Sequence, residues 1–264
     1  MEPVLRYPGA KWNLCEWIIS FFPKHTTYLE PFFGSGAVLF NKPLSKVETI
    51  NDIDGNIVNL FKILRDKPFE LANLINLTPW SRDEYLESYS KTGDELEDAR
   101  RFLVRCWQAF GSTTSSKTGW RNDVQGLPYS NVANIWRTVP KRVIKCAERL
   151  KGVQIENTNS LEVIEKYKFK TVLIYADPPY LLSTRSGKLY ANEMNDNDHI
   201  ELLEKLDKHP GPLILSGYAH PMYDERLKKW TRKTSKAQAE KGGIREEVLG
   251  INPVTVNSIG TTLF

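Results

Sequence analysis

The stretch Val172-Leu173-Ile174-Tyr175-Ala176-Asp177-Pro178-Pro179-Tyr180 constrains this chain more than any other. An unbroken run of strand formers ending in an acid and two prolines predicts a buried strand that stops abruptly, since proline has no N–H for the ladder. The Asp177 carboxylate and the Tyr180 ring are then presented at a strand's carboxyl end, the edge at which open α/β sheets bind ligands. The prolines also leave the local carbonyls without competing donors. A carboxylate, an unshared carbonyl and an aromatic plane suit a flat, amino-bearing base; a plain Pro-rich turn closing a strand fits the same residues.

Earlier in the chain a turn leads into a helix, and two strands end in turns. Leu5 to Lys11, Leu-Arg-Tyr-Pro-Gly-Ala-Lys, precedes the apolar spacing Trp12, Trp17, Ile18, Phe21 and Phe22, which predicts a short amphipathic helix ending before Pro23. The early N–H groups of that helix, with the Lys11 ammonium, would suit an anion such as a carboxylate. Thr26 to Glu30 reads as a strand, and Pro31-Phe32-Phe33-Gly34-Ser35-Gly36 as a tight turn into a helix through Phe40, its glycines allowing a ligand close to the backbone. Val47 to Asp52 supplies a second strand ending in an acid at the spacing of a ribose contact, so Asp52 is the candidate for ribose hydroxyls and Asp54 caps a helix over Asn56 to Leu64.

From Lys67 to about Lys151 the α/β rhythm gives way to helical spacing: Leu71, Leu74, Ile75 and Leu77; then Ala99, Phe102, Leu103, Cys106 and Phe110; then Ile135, Val139, Val143, Ile144, Ala147 and Leu150. Between the last two of these helices runs a polar loop from Gly111 to Gly126 without apolar periodicity. In it Lys117 and Arg121 could meet phosphates or guanine edges, Asn122 and Gln125 could read adenine, and Trp120 could stack or wedge. Charge supports a polyanion partner: the net +4 hides an excess of +6 from Arg105 to Arg149 and +7 from Arg226 to Arg245, leaving −9 elsewhere. Two solvated helical faces would carry the same charge.

The remainder returns to alternating strands and helices. Val153 to Ile155 reads as a strand, and Asn157-Thr158-Asn159-Ser160 opens a helix with a polar cap. Ser183 to Asn197 is polar enough for a mobile lid, and His199 falls on the next helix as a surface residue. Pro212 to Tyr218 and Glu246 to Ile251 are further strands. Cys15, Cys106 and Cys146 are widely spaced, without metal or disulfide spacing, and none follows a proline as a cytosine-C5 nucleophile typically does. No apolar run of about eighteen residues and no leader-like amino terminus occurs, so a cytoplasmic protein with no membrane span and no metal is expected.

Asp-Pro-Pro-Tyr after a hydrophobic strand resembles the catalytic motif of S-adenosylmethionine-dependent amino methyltransferases. With Tyr-Pro-Gly-Ala-Lys, Glu-Pro-Phe-Phe-Gly-Ser-Gly and Asn-Asp-Ile-Asp preceding it in order, the chain is similar to the Dam-type, D12-class DNA adenine-N6 methyltransferases over nearly all its length except the middle. The resemblance implies an α/β fold: a Rossmann-like methyltransferase sheet from residues 1–66 and 152–264, with an inserted helical DNA-recognition domain, residues 67–151, for double-stranded DNA. It implies S-adenosyl-L-methionine as cofactor, held by Tyr7, Lys11, Phe32, Gly34, Ser35, Gly36, Asp52, Asn159 and Asp177. Catalysis falls to Asp177, Pro178, Pro179 and Tyr180, with Asp177 and the Pro178 carbonyl accepting the N6 protons of a flipped adenine and Tyr180 stacking on it. Lys117, Trp120, Arg121, Asn122 and Arg137 are the DNA-contact candidates. Ala10 stands where the family usually has a second glycine, and the loop after Gly111 does not match the recognition loop of GATC enzymes, which leaves the target sequence open. RNA adenine and protein glutamine methyltransferases, whose related motifs commonly begin with Asn, and an inactive DNA-binding module on the same fold are the rival readings.

Overall fold

The computed structural model describes residues 1–111, 113–124, 132–185, 187–238 and 244–260. In chain order the elements are α1 (Cys15–Ile19), β1 (Thr27–Glu30), α2 (Ala37–Asn41) and β2 (Val47–Asn51). Six helices follow: α3 (Gly55–Asp66), α4 (Pro68–Leu77), α5 (Arg82–Glu87), α6 (Glu95–Gln108), α7 (Val132–Trp136) and α8 (Val139–Leu150). Then come β3 (Val153–Glu156), α9 (Ser160–Lys166), β4 (Val172–Ala176), α10 (Asp196–Asp207), β5 (Leu213–Gly217), α11 (Pro221–Arg226), β6 (Thr231–Gln238), β7 (Ile244–Ile251) and α12 (Pro253–Gly260).

The strands form one seven-stranded sheet in the order β3-β2-β1-β4-β5-β7-β6. β1 to β5 are parallel, and β7 runs antiparallel to both β5 and β6. Strand order reverses between β1 and β4, and the carboxyl ends flanking such a reversal open into a crevice because the following connections leave in opposite directions. This is the expected Rossmann-like α/β sheet.

Alternation along the strands sorts the core into two layers. Leu173 and Tyr175 of β4 join Tyr28, Ile50, Ile214, Leu249 and Ile251 on one face, while Val172, Ile174 and Ala176 join Leu29, Leu213 and Leu215 on the other. Both faces of β4 are covered, which is why its five residues are all buried and all apolar. The first layer continues without a break into Leu60 and Phe61 of α3, Leu103 of α6 and Val143 of α8, so the helices between β2 and β3 share the core of the sheet. An ion pair adds to this: Arg149, at the end of α8, places Nη1 2.6 Å from Oε2 of Glu48, a buried acid of β2 that also binds Lys42. A carboxylate in that position is tolerable only when paired on this scale.

Three readings from the sequence are corrected. The helix expected directly after Lys11 begins at Cys15, because a turn closed by Leu14 N–H on the Lys11 carbonyl (2.9 Å) intervenes. The Tyr7-to-Lys11 loop is therefore not a helix N-terminus. His199 is buried, not on the surface; its Nδ1 meets the Tyr223 hydroxyl at 2.9 Å, and burial lowers its pKa to about 4. The second basic segment is not a solvated helical face beyond Arg226: it runs into β6, whose polar sequence Thr-Arg-Lys-Thr-Ser-Lys-Ala-Gln pairs only with β7.

Candidate active site

A cavity of about 490 Å³ opens at the carboxyl ends of β1, β2 and β4. Tyr7, Lys11, Phe32, Gly34, Ser35, Asp52, Asn159, Asp177 and Pro179 line it, all of them expected from the sequence; Gly36, Pro178 and Tyr180 do not. Gly36 serves the wall instead, because at φ +70° a Cβ would fall 2.4 Å from Cζ of Phe33 and 2.7 Å from Cε2 of Phe40. Gly34 turns with φ +51° and donates its N–H to Oδ2 of Asp52 at 2.9 Å, while Asp54 N–H reaches Oδ1 at 2.9 Å. Burial raises the Asp52 pKa to about 6 despite these bonds. Asp54 caps α3 through Oδ1, as expected, yet its Oδ2 is buried without a hydrogen-bond partner and the residue also lines the cavity. Asn159 caps α9 by accepting from Leu161 N–H at 2.8 Å and reaches the same space.

The segment read as a lid is packed down. Tyr190, Ala191, Asn192, Glu193 and Met194 line the cavity from above. Glu193 binds Arg185 and accepts the N–H groups of Leu189 (2.7 Å) and Tyr190 (3.0 Å), while Arg185 Nε donates to the Tyr180 carbonyl at 2.8 Å. The Tyr190 ring lies 6.0 Å from that of Tyr7, and its hydroxyl approaches Gly9 so closely that a Cβ there would stand 2.3 Å away.

Beyond β4, Asp177 Oδ2 meets Lys11 Nζ at 2.9 Å. Lys11 also donates to the Gly9 carbonyl at 2.8 Å and stands 4.8 Å over the Tyr180 ring, which packs edge-on against Tyr218 with centroids 4.6 Å apart. The Tyr180 hydroxyl faces Asp177 Oδ1 at 3.2 Å and a further acid, Glu247 of β7, whose Oε1 is 3.6 Å from Lys11 Nζ. Burial pushes the pKa of Asp177 up, opposed by Lys11, and likewise that of Glu247. Burial alone would lower Lys11, but Asp177 and Glu247 more than reverse it, so its ammonium stays charged. Glu30, at the end of β1 and also lining the cavity, is raised to about 8 by burial, with the Tyr28 hydroxyl bonded to it at 2.8 Å opposing the shift.

Glu30, Asp54, Glu247 and Tyr190 were not singled out as site residues in the sequence. The available signal was an acid ending an apolar strand for Glu30, and an acid at an inward position for Glu247, which shares its strand face with buried Leu249 and Ile251.

The DNA-contact candidates separate into two groups. Lys117, Asn122 and Arg137 are exposed. Trp120 is held to the scaffold: it pairs with Ala109, donates its indole N–H to Gln108 Oε1 at 3.1 Å, and lies under Arg82. Arg121 donates from Nε to the Ala109 carbonyl at 3.2 Å. Gln125 lies outside the described residues. Much of the +6 excess is also consumed internally, since Arg142 binds the Pro3 carbonyl and Arg149 binds Glu48, leaving Lys117, Arg137, Lys141 and Lys145 exposed. The three cysteines are unpaired and buried, and among the described residues no cluster of three His, Cys, Asp or Glu could hold a metal and no helix is long and apolar enough to cross a membrane.

A mostly parallel sheet with a cavity at the carboxyl ends beside its switch point is a Rossmann-like arrangement. The family pattern of the D12 class N6 adenine-specific DNA methyltransferases matches residues 7–240, and the chain belongs to that family. It is 27% identical over 252 residues to the type II methyltransferase M.MjaIII of Methanocaldococcus jannaschii, covering 82% of this chain and 84% of the relative. It is 25% identical over 282 residues to the type II methyltransferase M1.LlaDCHI of Lactococcus lactis subsp. cremoris, covering 94% and 95%. A shorter match, 35% over 65 residues, covers 24% of this chain and 22% of the DNA adenine methylase of Haemophilus influenzae. The activity is methylation of adenine N6 in DNA.

Proposed function

We propose that the cavity binds S-adenosyl-L-methionine and that the target adenine leaves double-stranded DNA to present N6 to Asp177. The observation that carries this is that Asp177 lines the same cavity as Asp52 and the unpartnered Asp54 Oδ2, which are suited as acceptors for ribose hydroxyls. Phe32 and Asn159 are suited to an adenine ring, and Tyr7, Ser35 and Lys11 line the same cavity. When bound, the cofactor supplies an electrophilic methyl activated by its own sulfonium, and the chain is left to position an amine lone pair. Asp177 and the Pro178 carbonyl accept the two N6 protons, which favours a pyramidal nitrogen, and Tyr180 borders the base. Gly36 and Pro179 shape the backbone that holds these groups.

Residues 67–151 serve as the DNA-reading unit, with Lys117 and Arg137 on phosphates and Asn122 on a base edge, while Trp120 and Arg121 brace the loop that carries them. The enzyme acts in the cytoplasm, and the type II names of its relatives favour pairing with a restriction activity. The test is incubation of the purified protein with duplex DNA and methyl-labelled S-adenosylmethionine, followed by nucleoside digestion. Label in N6-methyldeoxyadenosine is expected; a wild-type protein that binds no cofactor, or that labels no adenine, overturns the proposal.

A further inference from the structure

Glu247 lies beyond the segment matched by the family pattern, which ends at residue 240, yet it is one of the most deeply buried acids in the molecule and touches the reacting end of the site. It faces Lys11 from the amino-terminal loop, Asp177 and Tyr180 from the segment after β4, and Tyr175 within β4; across the sheet its register partner on β6 is Ser235. Tyr218 packs edge-on to Tyr180, Tyr190 lies within electrostatic reach of Lys11, and Glu30 and Tyr223 lie within electrostatic reach of Asp177.

Resting on the reading of Asp177 given above, we infer that Glu247 is a positioning residue for methyl transfer: it accepts the hydrogen bond of the Tyr180 hydroxyl and shares the Lys11 ammonium, which releases the Asp177 carboxylate for the incoming amine. The argument is one of donor counting. A tyrosine hydroxyl has one hydrogen. It faces both Glu247 Oε1 and, at 3.2 Å, Asp177 Oδ1, so when its hydrogen is given to Glu247, Oδ1 keeps its capacity to accept from a substrate amine. Lys11 faces the same choice. Its ammonium meets Asp177 at 2.9 Å and Glu247 at 3.6 Å, so an amine that engages Asp177 leaves Lys11 a second carboxylate within reach instead of an unpaired buried charge. Without Glu247, both donors fall on Asp177 and compete with the substrate.

The experiment compares wild type, Glu247→Gln and Glu247→Asp for cofactor affinity by calorimetry and for kcat and KM across about pH 5.5 to pH 9. Glu247→Gln still accepts from Tyr180 but has the charge of protonated Glu247. Its cofactor affinity should stay within about twofold of wild type while kcat falls by about tenfold to a hundredfold. At saturating cofactor, the acid-side decline expected of wild-type kcat has an Asp177 step and a Glu247 step, so it should become less steep in Glu247→Gln, where only the Asp177 step remains, and keep its steepness in Glu247→Asp. A Glu247→Gln enzyme with wild-type kcat, or one whose acid-side decline is as steep as that of wild type, overturns the inference. If Glu247→Gln fails to fold by circular dichroism, Glu247→Asp decides, and an acid side less steep than that of wild type in that variant is the contrary result. Failure of the underlying reading is separate, because it shows in the wild-type protein as absent cofactor binding or absent adenine methylation.

Discussion

Glu30→Gln should stabilise this protein, by an amount that grows with pH. Glu30 is 3% exposed at the end of β1, and its carboxyl is raised from the ordinary 4.5 to about 8, chiefly by burial. An acid whose folded-state pKa lies above its unfolded value is most stabilising when protonated. Its contribution is full below about pH 4.5 and is lost as pH rises through about 8, because the unfolded chain ionises first. At about 1.36 kcal/mol per pH unit the gap caps the loss at about 5 kcal/mol, of which about 1 kcal/mol is already spent at pH 5.5 and about 4 kcal/mol at pH 8. Gln keeps an oxygen for the Tyr28 hydroxyl that now donates to Glu30 Oε2 at 2.8 Å, and it never ionises. The stability difference between variant and wild type should therefore widen by about 3 kcal/mol between pH 5.5 and pH 8, read by urea denaturation at both. A difference that is the same at the two pH values, or that shrinks, refutes the reasoning.

Cofactor affinity should weaken as pH falls through about 6, where Asp52 takes up a proton and ceases to be a full acceptor; Asp52→Asn should bind about 1 to 3 kcal/mol more weakly and without that pH dependence, by calorimetry. Arg137→Ala or Lys117→Ala should weaken binding to all duplexes alike and reduce the salt slope by about one, whereas Asn122→Ala should cost about 1 to 3 kcal/mol on the cognate sequence alone. Trp120→Ala should instead lower thermal stability, by about 1 to 3 kcal/mol, through the lost indole bond to Gln108 and the lost contact with Arg82.

The inner parallel strands were legible because they are largely buried on both faces: Val172 to Ala176 could be read as β4, and the glycine turn after β1 could be read before Phe40. Seven of the nine expected residues that line the cavity lie just past the ends of β1, β2, β3 and β4, while Tyr7 and Lys11 come from the loop before α1. β6 was not legible, since an edge strand of Thr, Lys, Ser and Arg has no apolar alternation to betray it. The ion pair between Lys11 and Asp177, and the reach of Glu247 to both Tyr180 and Lys11, join residues far apart in the chain, and no local spacing encodes such a meeting. Trp120 looked like a wedge for DNA because an aromatic in a polar loop carries the same local pattern whether it faces a ligand or the scaffold; only its bond to Gln108 distinguishes the two.

Asp177→Ala tests the central claim most directly, measured as methyl transfer from labelled S-adenosylmethionine to adenine N6 beside calorimetric binding of the same cofactor. The account predicts a folded protein that binds the cofactor yet yields N6-methyladenine at a rate lower by at least about a hundredfold, since the acceptor for the amine protons is gone. An Asp177→Ala protein that methylates adenine at the wild-type rate would contradict it.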